Sequence, residues 1–444
     1  MATRDELKIS VCAAIDEAAD EIIAIGDAIL SQPEMGFKEY KTAALAAQVM
    51  ASRDVAYRTG LAVTGVRGDI QGRGPGPSLG ILGELDAVRV DEHPMADKKT
   101  GAAHACGHNG QIAAMLGAMI GLKACRIEDH ISGNLVFFAV PAEELVEIDY
   151  RMGLIESGKI GLPAGKQELI RMGCFTDIHM AMMVHGHTRK DSEKVILGTS
   201  SNGCIVKRVR FIGKAAHAGN APHHGINALN AAQIALSAIH AQRETFRDRD
   251  AVRIHPIITK GGSLVNVVPS EVCLETFIRG RTNAVIADAE KKVDRALKAG
   301  AAAVGAGVEI QTIPGYMPLI NNSGLAEVFK RNAFSLLGEN EFAQVGHGAG
   351  STDMGDISHL MPALHPAVGG ITGTGHGADF AIMDKELVYV TAAKLLAMTA
   401  IDLFFGNAET ALNIIRRFTP EMTIDAYLDY QKRLFATRFF DGNI

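Results

Sequence analysis

The stretch Asn134-Leu135-Val136-Phe137-Phe138-Ala139-Val140-Pro141-Ala142-Glu143-Glu144 decides the fold class. Its apolar part is continuous rather than alternating and has the length of one strand, the pattern of a strand covered on both faces in a parallel sheet. Glu143 and Glu144 then fall just past the carboxyl end of that strand, where open parallel sheets collect their ligands. Two adjacent carboxylates there are costly unless they are solvated or hold a cation.

Working outward, Ser78-Leu79-Gly80-Ile81-Leu82-Gly83-Glu84-Leu85 reads as a second buried strand with Asp86 at its carboxyl end. Gln111 to Leu122 has helical character, and Ile178 to Val184 is another apolar run that ends in His185-Gly186-His187. Strand, helix, strand order predicts crossover units and a mainly parallel sheet. Helical runs from Leu7 to Leu30 and from Lys41 to Met50 precede it, separated by the breaker Gln32-Pro33-Glu34.

Near Gly198 the texture changes. Val206 to Ile212 alternates like a half-buried strand, Asn227 to Ala241 is helical, and Val252 to Thr259 and Val272 to Ile278 are strand-like. Ile286 to Ala302 is helical again, and Val308 to Ile313 is a last strand. This β-α-β-β-α-β order predicts a ferredoxin-like α+β block. The expected organisation is an α/β domain with a mainly parallel mixed sheet, built from residues 1–198 and 315–444 and interrupted by an inserted domain at 199–314. A chain of 444 residues is long enough for two or three such cores.

A formal charge of -6 and the lack of a long basic run exclude the electrostatic footprint of a nucleic-acid binder. Met1 to Glu6 lacks the charged-then-apolar order of a secretory signal, and no apolar run is expected to reach the roughly 18 residues of a membrane span. A soluble, cytoplasmic protein is expected. Six scattered cysteines fit reduced thiols rather than a disulfide framework.

The strongest ligand chemistry lies in His104-Ala105-Cys106-Gly107-His108-Asn109-Gly110. Gly107 and Gly110 permit the tight turn that brings Cys106 and His108 to one ion. Thiolate and imidazole suit zinc, and added carboxylates extend the range toward manganese. Cys-x-His alone fits equally a buried cysteine beside a helix-capping histidine. Glu143 and Glu144 are harder to explain that way, although an exposed acidic loop is their alternative. Neighbours in an extended segment point opposite ways, so one carboxylate can take a metal while the other faces a water. A metal lowers that water's pKa, and a poised carboxylate takes its proton and hands it to a leaving amine.

Gly83-Glu84-Leu85-Asp86-Ala87, His104 to Asn109, Pro141 to Glu144, Asp177 to His185, Gly213-Lys214-Ala215-Ala216-His217-Ala218, Asn266-Val267-Val268-Pro269 and Gly373-Thr374-Gly375-His376 follow one another in a familiar order. The chain resembles the aminoacylase and carboxypeptidase-type metallopeptidase family, in its amidohydrolase branch. Cys106 to Asn109 and Gly350-Ser351-Thr352-Asp353-Met354-Gly355 are most similar to the aminobenzoyl-glutamate hydrolase group. The resemblance implies Cys106, His108, Glu144, His185 and His376 as metal ligands, Glu143 as general base and Asp86 as the carboxylate that orients a ligand. It implies that His217, from the inserted domain, reaches the partner subunit's site and stabilises a tetrahedral oxyanion. Asn266 and Arg279 match positions that meet polar groups of a substrate, and Arg279 suits a carboxylate. The inserted domain would then be both lid and dimer surface in a homodimer or dimer-based oligomer. The cofactor would be manganese or zinc, one or two ions per subunit, with Cys106 able to bridge a pair.

The expected reaction is hydrolysis of a C–N bond in a small N-acyl or aminobenzoyl amino acid. One rival is removal of an amino group from an aromatic ring, as in hydrolases of nitroanthranilate type. Another is a non-catalytic, metal-stabilised binding protein. His179 and His187 alternate with His185, so a one-residue error in strand phase would exchange them. Two features depart from the pattern. Glu84 stands where peptidase members of the family carry a metal-binding histidine, which excludes a site of that design. Leu145-Val146-Glu147-Ile148-Asp149-Tyr150 is bulkier than a Gly-rich continuation, which predicts an altered substrate pocket.

Overall fold

The structure is a computed structural model that describes residues 2–188 and 193–442. It divides into two compact units. The first comprises Met1–Ser200, Ile320–Gly346 and Asp356–Met422, and the second comprises Ser201–Leu319, His347–Gly355 and Thr423–Ile444.

In the first unit, Ser132–Val140, Gly74–Glu84, Met180–Met182 and Ala363–Leu364 lie side by side and parallel in a mixed sheet, with Ala363–Leu364 at its edge. The register runs from Ser78↔Asn134 to Glu84↔Val140, which aligns the carboxyl ends of the two long strands. Asp86 and the pair Glu143–Glu144 therefore emerge at one edge of the sheet. The helix His108–Ala124 is buried from His108 to Leu122, so its Ala-, Gly- and Met-rich sequence has no polar face.

Three differences from the sequence reading concern this unit. Ala56–Leu61 and Gly65–Gln71 form an antiparallel hairpin that extends the sheet beyond Ser132–Val140. The hairpin escaped notice because Ala56–Leu61 is exposed almost throughout and lacks alternation. Leu7 to Leu30 forms two helices, Arg4–Glu17 and Ala19–Leu30, that part at Ala18. Glu386–Phe404 is long and apolar enough to cross a membrane, contrary to the expectation that no run reaches that length. It is mostly buried and belongs to the main apolar core.

The second unit is built on an antiparallel sheet in which Gly307–Pro314, Gly203–Ile212 and Glu271–Gly280 are neighbours. Arg253–Ile254 and Ile257–Lys260 pair on the far side of Glu271–Gly280. The helices Ala228–Ala241 and Asn283–Ala302 complete its core, and the order of elements is ferredoxin-like. The C-terminal part of the chain, expected to complete the first domain, does so only to Met422. Ala436–Phe440 instead pairs with Gly307–Pro314. A five-residue strand carries no mark of which sheet edge it will meet. His347–Gly355, with the Gly350 to Gly355 motif, also belongs to the second unit.

Candidate metal centre

The ligand candidates stand on loops that follow strands, at the start of a helix, or, for His376, on a turn. Gly107, at φ 84°, turns the chain into the helix that begins at His108. Only glycine takes that left-handed conformation cheaply. His376 is itself at φ 61°, and its N–H donates to Ala105 O at 2.8 Å, which ties its loop to the one bearing Cys106. His185 follows Met180–Met182, with its N–H on Pro366 O at 2.9 Å.

Cys106 is the shared point of two clusters. The ligand atoms of Cys106, His108 and His185 lie within 4.8 Å of one another, and so do those of Cys106, Glu144 and His376. Cys106 Sγ is 3.5 Å from His185 Nε2, and Glu144 Oε1 is 3.1 Å from His376 Nε2. His108 Nδ1 meets Asp86 O at 2.9 Å and Asp86 Oδ1 at 3.2 Å, which turns Nε2 toward the cluster. The other Asp86 oxygen, Oδ2, accepts the Glu144 N–H at 2.9 Å. One buried carboxylate thus aligns both halves of the centre. Glu143 belongs to neither set. It is buried, and its carboxylate lies within 4.8 Å of ligand atoms on His108 and Glu84.

His108 Nε2 and Glu144 Oε1 are buried and lack a well-directed hydrogen bond, although Glu84 Oε2 stands 3.1 Å from the former and His376 Nε2 3.1 Å from the latter. A buried polar atom left in that state costs about 1–3 kcal/mol, and a divalent cation would satisfy both. The mixed sulfur, nitrogen and oxygen donors suit zinc and manganese. The electrostatics agree. Burial and the Glu144 charge oppose ionisation of Cys106, yet His108 and His185 bring its thiol down to about 6. Hydrogen bonding to Cys106 and to Glu144 pushes His376 up to about 10. Against burial, His376 holds Glu144 down at about 2. Thiolate and carboxylate are the forms that bind metal, and a cation would have to displace the His376 proton that these anions hold, since imidazole ligates in its neutral form.

The neighbouring histidines separate cleanly. His179 lies at the amino end of its strand, where Nδ1 accepts the Ser78 N–H at 3.1 Å. His187 is buried one residue past Gly186, with its N–H on Val368 O. His104 is buried, and burial, aided by His108, lowers its pKa to about 3, so it packs as a neutral ring.

Glu84, the departure noted in the sequence, is half of a buried ion pair. Its Oε1 is 2.5 Å from Lys166 Nζ, and its Oε2 accepts from Gln111 Nε2 at 2.8 Å. Against burial, Lys166 and then His108 hold Glu84 well below the usual carboxylate range. Lys166 was missed in the sequence. Its only trace there is Gly165, whose Cβ position would lie 1.6 Å from Pro141 O, so glycine alone lets this helix start against the strand end. Replacing Glu84 with alanine would remove from the buried Lys166 ammonium the carboxylate that stands 2.5 Å away. A loss of about 3–5 kcal/mol is expected, read as a lower urea midpoint, and an unchanged midpoint would refute a structural role for the pair.

His217, Asn266 and Arg279 belong to the second unit. His217 and Asn266 sit on adjoining loops, joined by the His217↔Val267 bridge and by Ala218 N–H to Asn266 O at 3.0 Å. His217 is exposed, and its Nδ1 accepts the N–H groups of Gly219 and Asn220 at 3.2 and 3.0 Å. Those bonds leave the ring proton on Nε2. Arg279, half-buried on Glu271–Gly280, lies over the Phe277 ring at 5.2 Å, and its Nε lacks a hydrogen-bond partner. The structure thus brings the five ligand candidates, Glu143 and Asp86 together in the first unit, while the other three belong to the second.

Residues 80–401 match peptidase family M20/M25/M40. Over 427 residues the chain is 28% identical to the Xaa-Arg dipeptidase of Homo sapiens, covering 90% of this chain and 89% of that one. Over 406 residues it is 25% identical to the N-acetyl-L-cysteine deacetylase of Bacillus subtilis (strain 168), covering 88% and 90%. Among solved structures, a dinuclear metal binding peptidase of the M20 family from Bacillus subtilis has a TM-score of 0.64 at 20% identity, covering 86% of this chain and 97% of that one.

Proposed function

The chain belongs to peptidase family M20/M25/M40, and from that premise we propose that it hydrolyses the amide C–N bond of a small N-acyl or aminobenzoyl amino acid. The observation that carries this reading is the buried carboxylate of Glu143, standing beside two three-residue ligand sets that share Cys106. Cys106, His108 and His185 would hold one ion, and Cys106, Glu144 and His376 a second, with manganese or zinc as the metal. When bound, the metal supplies positive charge that acidifies a water and polarises the acyl oxygen.

The protein's own groups supply the proton transfers and the geometry. Glu143 takes the water's proton and returns it to the departing nitrogen. Asp86 fixes the tautomer of His108 and the backbone of Glu144, so both present fixed lone pairs. His217 carries its proton on Nε2 and is the donor for the developing oxyanion, supplied by a second copy of the chain in a homodimer. Asn266 and Arg279 are the groups for the polar end of the substrate, and the unpartnered Arg279 Nε suits a carboxylate.

The test is amine release by metal-loaded protein from a panel of N-acyl amino acids, aminobenzoyl conjugates, dipeptides and substituted anilines. Release from acylated amino acids supports the proposal. Ammonia from the anilines alone would replace it with aromatic-amine hydrolysis, and no release from any member would leave a binding protein. His217→Ala is expected to lower kcat by about 10²–10³-fold at unchanged metal content. Co-expressed with Glu143→Ala, it should recover turnover through mixed dimers, and failure of that complementation would remove the second copy from the mechanism.

A further inference from the structure

We infer that Arg151, together with Glu39, is a positioning residue for Glu143 and acts on the backbone that carries the base. The inference rests on the reading of Glu143 as the general base and deepens it.

Arg151 is 1% exposed. A guanidinium so buried is tolerated only when its donors are taken, and here they go to backbone carbonyls. Nε donates to Val146 O at 2.7 Å, Nη1 to Ala142 O at 3.2 Å and to Pro163 O, and Nη2 to Glu144 O. The Phe37 ring covers the guanidinium at 5.2 Å. Glu39 holds the same peptide units from another side. Its Oε1 accepts the Ala142 N–H at 2.7 Å, while Oε2 accepts the Thr64 hydroxyl at 2.6 Å. With Asp86 on the Glu144 N–H, the N–H and C=O of both residues flanking Glu143 are held by side chains from positions 39, 86 and 151.

The loop needs that support. Ala142 stands at φ 52°, a conformation that persists in a non-glycine residue only when its surroundings enforce it. Gly36 leaves the room required, since a Cβ there would lie 2.7 Å from Arg151 Nη2 and 3.0 Å from Ala142 Cβ.

The bulky segment after Glu144 acquires a different meaning. The sequence suggested a reshaped substrate pocket, but Leu145 is buried and Val146 packs on Met35, Ala87 and Ala102. Glu147 receives Lys38 Nζ at 2.8 and 2.9 Å, and Lys38 lies over the Tyr150 ring at 4.1 Å. These contacts anchor the short helix Ile148–Glu156, which carries Arg151 to the loop that bears the base. A lysine at 151 would keep the charge but lose the planar fork that reaches several carbonyls at once.

The experiment compares metal-loaded, full-length Arg151→Lys, Arg151→Ala, Glu39→Gln and Glu143→Gln on an N-acyl amino acid or aminobenzoyl conjugate turned over in the panel. Arg151→Lys is expected to lose about 10²-fold in kcat, the scale for misplacing a reacting group by about 1 Å, with KM and metal stoichiometry unchanged. Glu39→Gln should show a smaller loss with the same signature. Millimolar guanidinium should restore part of kcat to Arg151→Ala but none to Glu143→Gln, a rescue that mere loss of packing would not give. If Arg151→Ala does not fold, Arg151→Lys and Glu39→Gln carry the test. Parental kcat in Arg151→Lys, or a kcat loss matched by metal loss, overturns the inference. Full activity in Glu143→Gln defeats the base and the clamp together. That result is distinct from failure of the clamp alone, in which Glu143→Gln is inactive and Arg151→Lys is not impaired.

Discussion

Glu143→Ala is expected to lose about 10²–10⁴-fold in kcat, the range a positioned general acid–base contributes, while binding the same number of metal ions as the parent. The separation follows from geometry. Glu143 belongs to neither three-residue set, so truncating it removes a proton carrier and leaves every proposed ligand in place. Glu143→Gln sharpens the comparison, because it preserves volume and removes only basicity. Metal analysis after gel filtration and steady-state kinetics on the same preparation decide the matter. Activity within tenfold of the parent would move the base elsewhere, and Glu84, whose carboxylate lies within 4.8 Å of the same His108 atom, would be the first group to examine.

Cys106→Ala should have the largest effect on metal content. Each set holds three candidate ligands, and Cys106 is the one they have in common. Its loss leaves His108 with His185 on one side and Glu144 with His376 on the other, two ligands each. Neither pair matches the three protein ligands that catalytic zinc sites use. His376→Ala should weaken only the set containing Glu144. The expected order of retained metal is parent, then His376→Ala, then Cys106→Ala with essentially none. Two ions retained by Cys106→Ala would eliminate the shared-ligand arrangement.

What could be read in the sequence follows the range of the signals. Leu135 to Val140 and Leu79 to Leu82 are apolar without alternation, and both lie in the parallel centre of the sheet. Their strand ends fixed where Asp86, Glu143 and Glu144 would meet. The ferredoxin-like block was legible from the opposite pattern, since Val206 to Ile212 and Val272 to Ile278 lie in strands where burial largely alternates from one residue to the next. The residues that escaped act through other parts of the chain. Lys166 finds its partner 82 positions away, and Glu39 accepts a bond from Ala142 103 positions away. Arg151 lies in a short helix with no pattern to mark it, and its partners are carbonyls, which every residue carries. Ala436–Phe440 escaped because edge strands are specified by the space left to them rather than by their own composition.

The Glu84–Lys166 pair also constrains how sites of this kind can diverge. A change of Glu84 to a histidine ligand, made alone, would take from the buried Lys166 ammonium the carboxylate 2.5 Å away, and a change of Lys166 alone would take that ammonium from the buried carboxylate. Either single step is expected to cost stability, so the two positions are expected to vary together. The consequence is an energetic coupling between two places 82 residues apart, which a double-mutant cycle would read.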